Sequence, residues 1–240
     1  MILKPDQICA HRGASGTAPE NTMAAFELAC SMAVGSVEFD ISLLRDGNLL
    51  IHHDGVLGRT IRAAGTLLEM DVAAFSDLDV GSWFDAKFSK ERAPLLADVL
   101  HLLDRHAKMA VLDVKIHADE EHIFAQELAR VLLRKTGEAP LITSFSRPFL
   151  CAMRAASPEA RLGLLDEPLP DDWKAFCDEW LIEAVHLDYA QTSPDDVAKV
   201  VASGRDLRLY TANDPVAVSS HLAAGAKAII TDFPERFLTN

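Results

Sequence analysis

Two short strings in the chain place chemically active side chains at every second position, the spacing that puts them on one face of a β-strand. Glu38-Phe39-Asp40 carries two carboxylates, and Asp113-Val114-Lys115 carries a third carboxylate with an ammonium beside it. Carboxylates held side by side repel unless a cation lies between them. A ligand set made only of oxygen suits Mg²⁺ or Ca²⁺ better than Zn²⁺. Glu38, Asp40 and Asp113 are therefore the expected metal ligands. His11-Arg12-Gly13 adds an imidazole and a guanidinium, followed by a glycine that lets the chain turn sharply. The planar fork of Arg12 suits a phosphate oxygen pair. His53-Asp54 supplies a second imidazole, so that His11 and His53 could work opposite one another as general acid and general base.

The remaining histidines are weaker signals. His52 neighbours His53, but strand alternation turns it to the other face. His101, His106, His122 and His221 fall within helical patterns and read as surface or packing residues. His186 closes an apolar run and is a candidate lining residue for a substrate, as are Tyr210, at a later strand exit, and Trp83 of the Trp83-Phe84 pair. Thr231-Asp232-Phe233-Pro234 follows another apolar run, and its acidic residue reads as part of a strand-exit turn.

Positioning these residues takes an ordered series of elements. Strand-like segments are expected at Gln7–His11, Ser36–Ser42, Met109–Lys115, Pro140–Ser144, Arg161–Leu165, Ala184–Asp188, Leu207–Thr211 and Lys227–Thr231. Helical periodicity appears between them over Glu20–Val34, Leu95–Ala107, Glu120–Lys135, Asp195–Ser203 and Pro215–Ala224. Strands alternating with helices imply parallel strands joined by crossover helices, and eight strands suggest closure into a (β/α)₈ barrel forming one domain over residues 1–240. The stretch from about 47 to 94 breaks the alternation with a short strand, Leu49–His53, and glycine-rich turns. It reads as a small insertion after the second strand, on the face where βα loops build active sites.

Composition narrows the partners. With 240 residues, 49% of them hydrophobic, the chain is long enough for a full core. A net charge of −13 disfavours nucleic acid, whose binding depends on Lys and Arg neutralising phosphates. It does not disfavour a small phosphate ester at a site made locally positive by a metal. No apolar run reaches the length of a membrane span, and no secretory leader pattern opens the chain. The four cysteines are scattered without a CxxC pair, so reduced thiols and a cytoplasmic location are expected.

The ordered set His11-Arg12-Gly13, Pro19-Glu20-Asn21-Thr22, Glu38 with Asp40, Asp46-Gly47 and His53-Asp54 resembles the opening signature of the glycerophosphodiester phosphodiesterase family. Gly81-Ser82-Trp83-Phe84, Asp113 to Lys115, Ser144-Phe145 and the closing stretch from Gly225 to Thr231-Asp232-Phe233-Pro234 extend the resemblance over nearly the whole chain. The resemblance implies a TIM barrel with a small inserted region and metal-dependent cleavage of glycerophosphodiesters to glycerol 3-phosphate and an alcohol. It maps two catalytic histidines to His11 and His53, the ligands of the divalent cation to Glu38, Asp40 and Asp113, and the phosphate-holding cations to Arg12 and Lys115. Three positions depart from the family pattern: Asp113 stands where a glutamate is usual, Tyr210 where a tryptophan is frequent, and Ile61 where a threonine follows Arg59-Thr60.

In the expected mechanism one histidine activates the attacking oxygen and the other protonates the leaving alcohol. Water and a neighbouring hydroxyl of the substrate's glycerol both remain open as nucleophile. Two other functions stay in view: lysophospholipase D-like cleavage of lipid phosphodiesters, and a non-catalytic barrel binding phosphorylated metabolites. The lack of a basic amphipathic segment or membrane anchor favours a small water-soluble glycerophosphodiester as partner.

Overall fold

A computed structural model describes residues 3–135 and 137–238. Its strands are short runs buried on both faces, as parallel strands covered by helices must be. They are β1 (Ile8–His11), β2 (Ser36–Leu43), β3 (Leu49–Ile51), β4 (Met109–Val114), β5 (Leu141–Ser144), β6 (Arg161–Asp166), β7 (Ala184–Asp188), β8 (Asp206–Tyr210) and β9 (Ala228–Thr231). Eight of them run parallel in the order β1-β9-β8-β7-β6-β5-β4-β2, and a β1–β2 pairing closes the circle. The registers set Cys9 beside Ser36, His11 beside Glu38, and Asp40 beside Asp113. Strand β3 lies outside the barrel, antiparallel to β2, with Ile41 opposite Ile51.

The helices are α1 (Met23–Ser31), α2 (Val72–Phe75), α3 (Leu96–Arg105), α4 (Glu121–Leu132), α5 (Arg147–Ala156), α6 (Trp173–Glu179), α7 (Pro194–Ala202) and α8 (Ser219–Ala223). The main core lies between this ring and the barrel wall, where Phe26 meets Phe39 and Phe124 meets Phe149 edge to face at 5.5 and 5.7 Å. Inside the barrel, Cys9, Val111, Leu141, Ala184 and Ile230 form a smaller apolar layer. Above the same barrel floor sit His186 and Arg208, paired in register on β7 and β8 and both buried.

Two helices begin a full turn or nearly so later than their periodicity predicts, for local reasons. The one expected over Glu20–Val34 begins at Met23, because Asn21 takes a left-handed backbone (φ 58°) and Thr22 caps the helix by accepting from the Ala25 N–H. The one expected from Pro215 begins at Ser219. Asn213 does not cap it; its side chain binds Asp232 and Thr231 instead.

The segment between β2 and α3 forms the insertion. Its own cluster packs Leu44, Leu50, Leu57, Ile61, Leu67, Phe75 and Val80 together. It is tied to the barrel by the β2–β3 ladder and by Glu91, which accepts from the Ala24 N–H in the first turn of α1.

Candidate active site

The first βα turn brings Arg12 and Glu38 together. Arg12 adopts φ 55° and Gly13 φ 81°, and a Cβ on Gly13 would stand 2.7 Å from the Ala25 backbone. This bend turns the Arg12 N–H onto Glu38 Oε2 at 3.0 Å and its carbonyl onto the Asn21 N–H. Asn21 in turn donates its side-chain amide to Asp40 Oδ2 at 2.7 Å and accepts from the Asp40 N–H.

Glu38, Asp40 and Asp113 converge at the C-terminal mouth, all buried, each offering an oxygen within 4.8 Å of the others. Arg12 Nε lies 2.9 Å from Asp40 Oδ2, and Lys115 Nζ lies 2.6 Å from Asp113 Oδ2 and 3.1 Å from Asp40 Oδ1. Two cations thus face three carboxylates. Burial, with Asp40 and Asp113 alongside, pushes the Glu38 carboxyl up to about 7 against the pull of His11 and Arg12. Burial likewise raises Asp113, whereas at Asp40 its effect is outweighed by Lys115 and Arg12, which hold that carboxyl well below the usual range. Oδ1 of Asp40 and Oδ1 of Asp113 accept no hydrogen bond. A buried oxygen set with more carboxylates than cations, in which Asp40 Oδ1 has only the Lys115 ion pair and Asp113 Oδ1 has no partner, fits a divalent cation.

The two expected catalytic histidines flank this cluster. His11 Nδ1 is 2.6 Å from Asp232 Oδ1, and its Nε2 is 3.9 Å from Glu38 Oε2. Burial disfavours the imidazolium, but the bond to Asp232 and the charge of Glu38 outweigh it and raise His11 above its ordinary value. Asp232 is held down to about 2. It also accepts from Ser15 and Asn213, so the residue read as part of a strand-exit turn is the brace of His11. His53 Nδ1 is 2.7 Å from Asp54 Oδ1. Asp54 Oδ2 accepts from Arg59 Nε at 2.7 Å, and both remaining Arg59 nitrogens reach Glu20 at 2.8 Å. Glu20 also accepts from Arg12 at 2.8 Å, completing a chain of charges from one histidine-bearing turn to the other.

A cavity of about 210 Å³ is lined by His11, Arg12, Glu38, His53, Asp113 and Lys115, with Thr143, Phe145, Leu165, His186, Tyr210 and Thr211 on its other sides. Of the three candidate lining residues, His186 and Tyr210 stand in its wall and Trp83 does not. The Trp83 indole donates to the Val80 carbonyl and its ring meets Phe84 edge to face inside the insertion, so packing of the insertion accounts for it. His186 is fully buried with neither ring nitrogen bonded; burial and neighbouring Arg208 hold its pKa well below the ordinary value, leaving a neutral imidazole. His52, as alternation implies, points away, its ring 5.8 Å from Phe75.

Sequence reasoning quoted Arg59, Glu20 and Phe145 within its motif strings but gave them no role, because the first two depend on a contact across 39 positions and Phe145 lies just past β5. It missed His117, whose Nε2 is 2.9 Å from Ser42 Oγ. Ser42 spends its one proton on the His52 carbonyl, so His117 is the donor in that contact.

A closed parallel barrel with a buried three-carboxylate cluster and two carboxylate-braced histidines at its C-terminal mouth defines a class: a barrel hydrolase equipped for phosphate-ester chemistry. The model of the glycerophosphoryl diester phosphodiesterase family matches residues 11–236, and the chain belongs to that family. It is 28% identical to the glycerophosphodiester phosphodiesterase of Caldanaerobacter subterraneus, over 96% of each chain. It is also 28% identical to that of Bacillus subtilis, over 98% of this chain and 87% of the relative. Among solved structures, a phosphodiesterase from Oleispira antarctica in complex with the product sn-glycerol-3-phosphate superposes with a TM-score of 0.92 at 27% identity, covering 96% of this chain and 94% of the other.

Proposed function

We propose that this phosphodiesterase cleaves glycerophosphodiesters to glycerol 3-phosphate and an alcohol, using a divalent cation, Mg²⁺ or Ca²⁺, held by Glu38, Asp40 and Asp113. The observation that carries the reading is the buried three-carboxylate cluster, with the unpartnered Asp113 Oδ1, set between two braced histidines. A bound dication supplies charge neutralisation at the phosphodiester and polarises its P–O bonds. Arg12 and Lys115 border the same cavity and add fixed positive charge for the non-bridging oxygens.

His11 and His53 are each held through Nδ1 by a carboxylate, which orients the ring and leaves Nε2 for proton transfer. One takes the proton of the attacking oxygen while the other delivers a proton to the departing alcohol. Thr143, His186 and Tyr210 line the same cavity and would border the glycerol hydroxyls of the retained half. The four cysteines are all free, which accords with work in the reducing cytoplasm.

The test follows glycerol 3-phosphate release from glycerophosphodiesters after EDTA treatment and add-back of single cations. Release abolished by EDTA and restored by Mg²⁺ or Ca²⁺ is the expected result. Release that persists in EDTA would remove the metal from the reading, and no release with any cation would remove the activity.

A further inference from the structure

The reaction cavity does not end at the histidines. A second hollow of about 810 Å³ continues from it, sharing His53, Lys115 and Phe145 in its walls and running between the insertion and the exits of β4 and β5. The inner cavity has room and polar groups for a glycerol phosphate. The outer groove is several times larger and begins beside His53, where the second ester arm of a diester seated on the carboxylate cluster must pass.

The open surface of its walls is more apolar than polar, although the His53 and His117 imidazoles also line it. Val56 is 64% exposed and Phe145 47% exposed, and the half-buried Ile116 continues the apolar surface. Every charged side chain on the wall already faces an opposite charge: Arg59 binds Glu20 and Asp54, Asp54 also binds His53, and Lys115 binds Asp113 and Asp40. The hydroxyls are engaged too, Ser144 with the Val114 carbonyl and the Ser146 N–H, and Ser146 with the Phe149 N–H. Phe145 could attract a quaternary ammonium through its ring, but the Lys115 ammonium already lies 5.8 Å from the ring centroid.

We propose that this groove is the subsite for the departing alcohol and that it selects alcohols bearing a hydrocarbon segment over cationic ones such as choline or ethanolamine. The inference rests on the phosphodiesterase reading above and names the substrate class of that same site. Apolar surface offered to the substrate beside a fully paired charge network rewards buried CH₂ groups and gives an ammonium no partner.

The probe is a series of glycerol 3-phosphate esters with ethyl, butyl and hexyl alcohols, compared with the choline ester under one saturating cation. Primary alkoxides of this series leave with nearly equal ease, so differences report binding along the groove. We expect kcat/KM to rise by at least about tenfold from ethyl to hexyl, short of the roughly fourfold per methylene that complete burial allows, and the hexyl ester to exceed the choline ester. Val56→Asp should depress the hexyl ester at least about fivefold more than the ethyl ester, with an unchanged circular dichroism spectrum. Turnover with a flat chain-length series, a choline ester preferred over hexyl, or a Val56→Asp variant that lowers all esters equally overturns the subsite alone. Absence of turnover with every ester and cation overturns the phosphodiesterase reading and the subsite with it.

Discussion

His11 and Asp232 lie 221 positions apart and 2.6 Å from one another. That contact, and the shorter-range one between His53 and Asp54, gives each histidine a fixed ring orientation with Nε2 left free. Loss of either imidazole should therefore remove one proton transfer and leave the carboxylate cluster in place. His11→Ala and His53→Ala are each expected to lower kcat by about a hundredfold or more, with cation binding measured by calorimetry retained. Turnover near that of the parent in either variant would take that histidine out of the mechanism.

At the scale of elements, the turn from β1 to α1 sets the position of Arg12 and brings its N–H to Glu38 on β2, and Gly13 makes it feasible. Gly13 combines a positive φ with contact against the Ala25 backbone, which cannot move aside as a side chain can. Gly204 also has a positive φ (83°), but a Cβ there would meet nothing within 4 Å. Gly204→Ala should cost only the backbone strain, about 1–3 kcal/mol. Gly13→Ala should cost more than that and also depress activity, because the Arg12 N–H leaves Glu38. Urea unfolding of the two variants, with kcat alongside, separates these outcomes; equal costs would show that the contact at Ala25 relaxes freely. The insertion behaves as an element of the same kind, since Arg59 joins the turn carrying His53 to Glu20 near the start of α1.

Across the whole molecule, folding seals His186 inside the barrel as a neutral imidazole. The unfolded chain takes up a proton there as pH falls below about 6.5, and the folded chain does not. The unfolded state then binds more protons, so this residue's contribution to stability falls as pH falls. Relative to the parent, a His186→Leu variant should lose stability less steeply between about pH 6.5 and 5, by up to about 1.4 kcal/mol per pH unit. Denaturant melts across that range measure the difference in slope directly. Parallel slopes would mean that His186 is protonated in the folded barrel.

The local pattern of the chain carried much of this organisation. Alternation at Glu38-Phe39-Asp40 and at Asp113-Val114-Lys115 placed each pair on one face, and the eight short apolar runs marked the barrel strands, because strand periodicity is a property of neighbours along the backbone. It could not say that Asp232 would brace His11, that Arg59 and Glu20 would link the two histidine turns, or that Trp83 would pack within the insertion instead of facing the cavity. Those outcomes depend on barrel closure, strand register and the fold-back of the insertion, which bring together groups tens to hundreds of positions apart. The outer groove belongs with them: an apolar wall whose charges are all paired exists only after the charges have met.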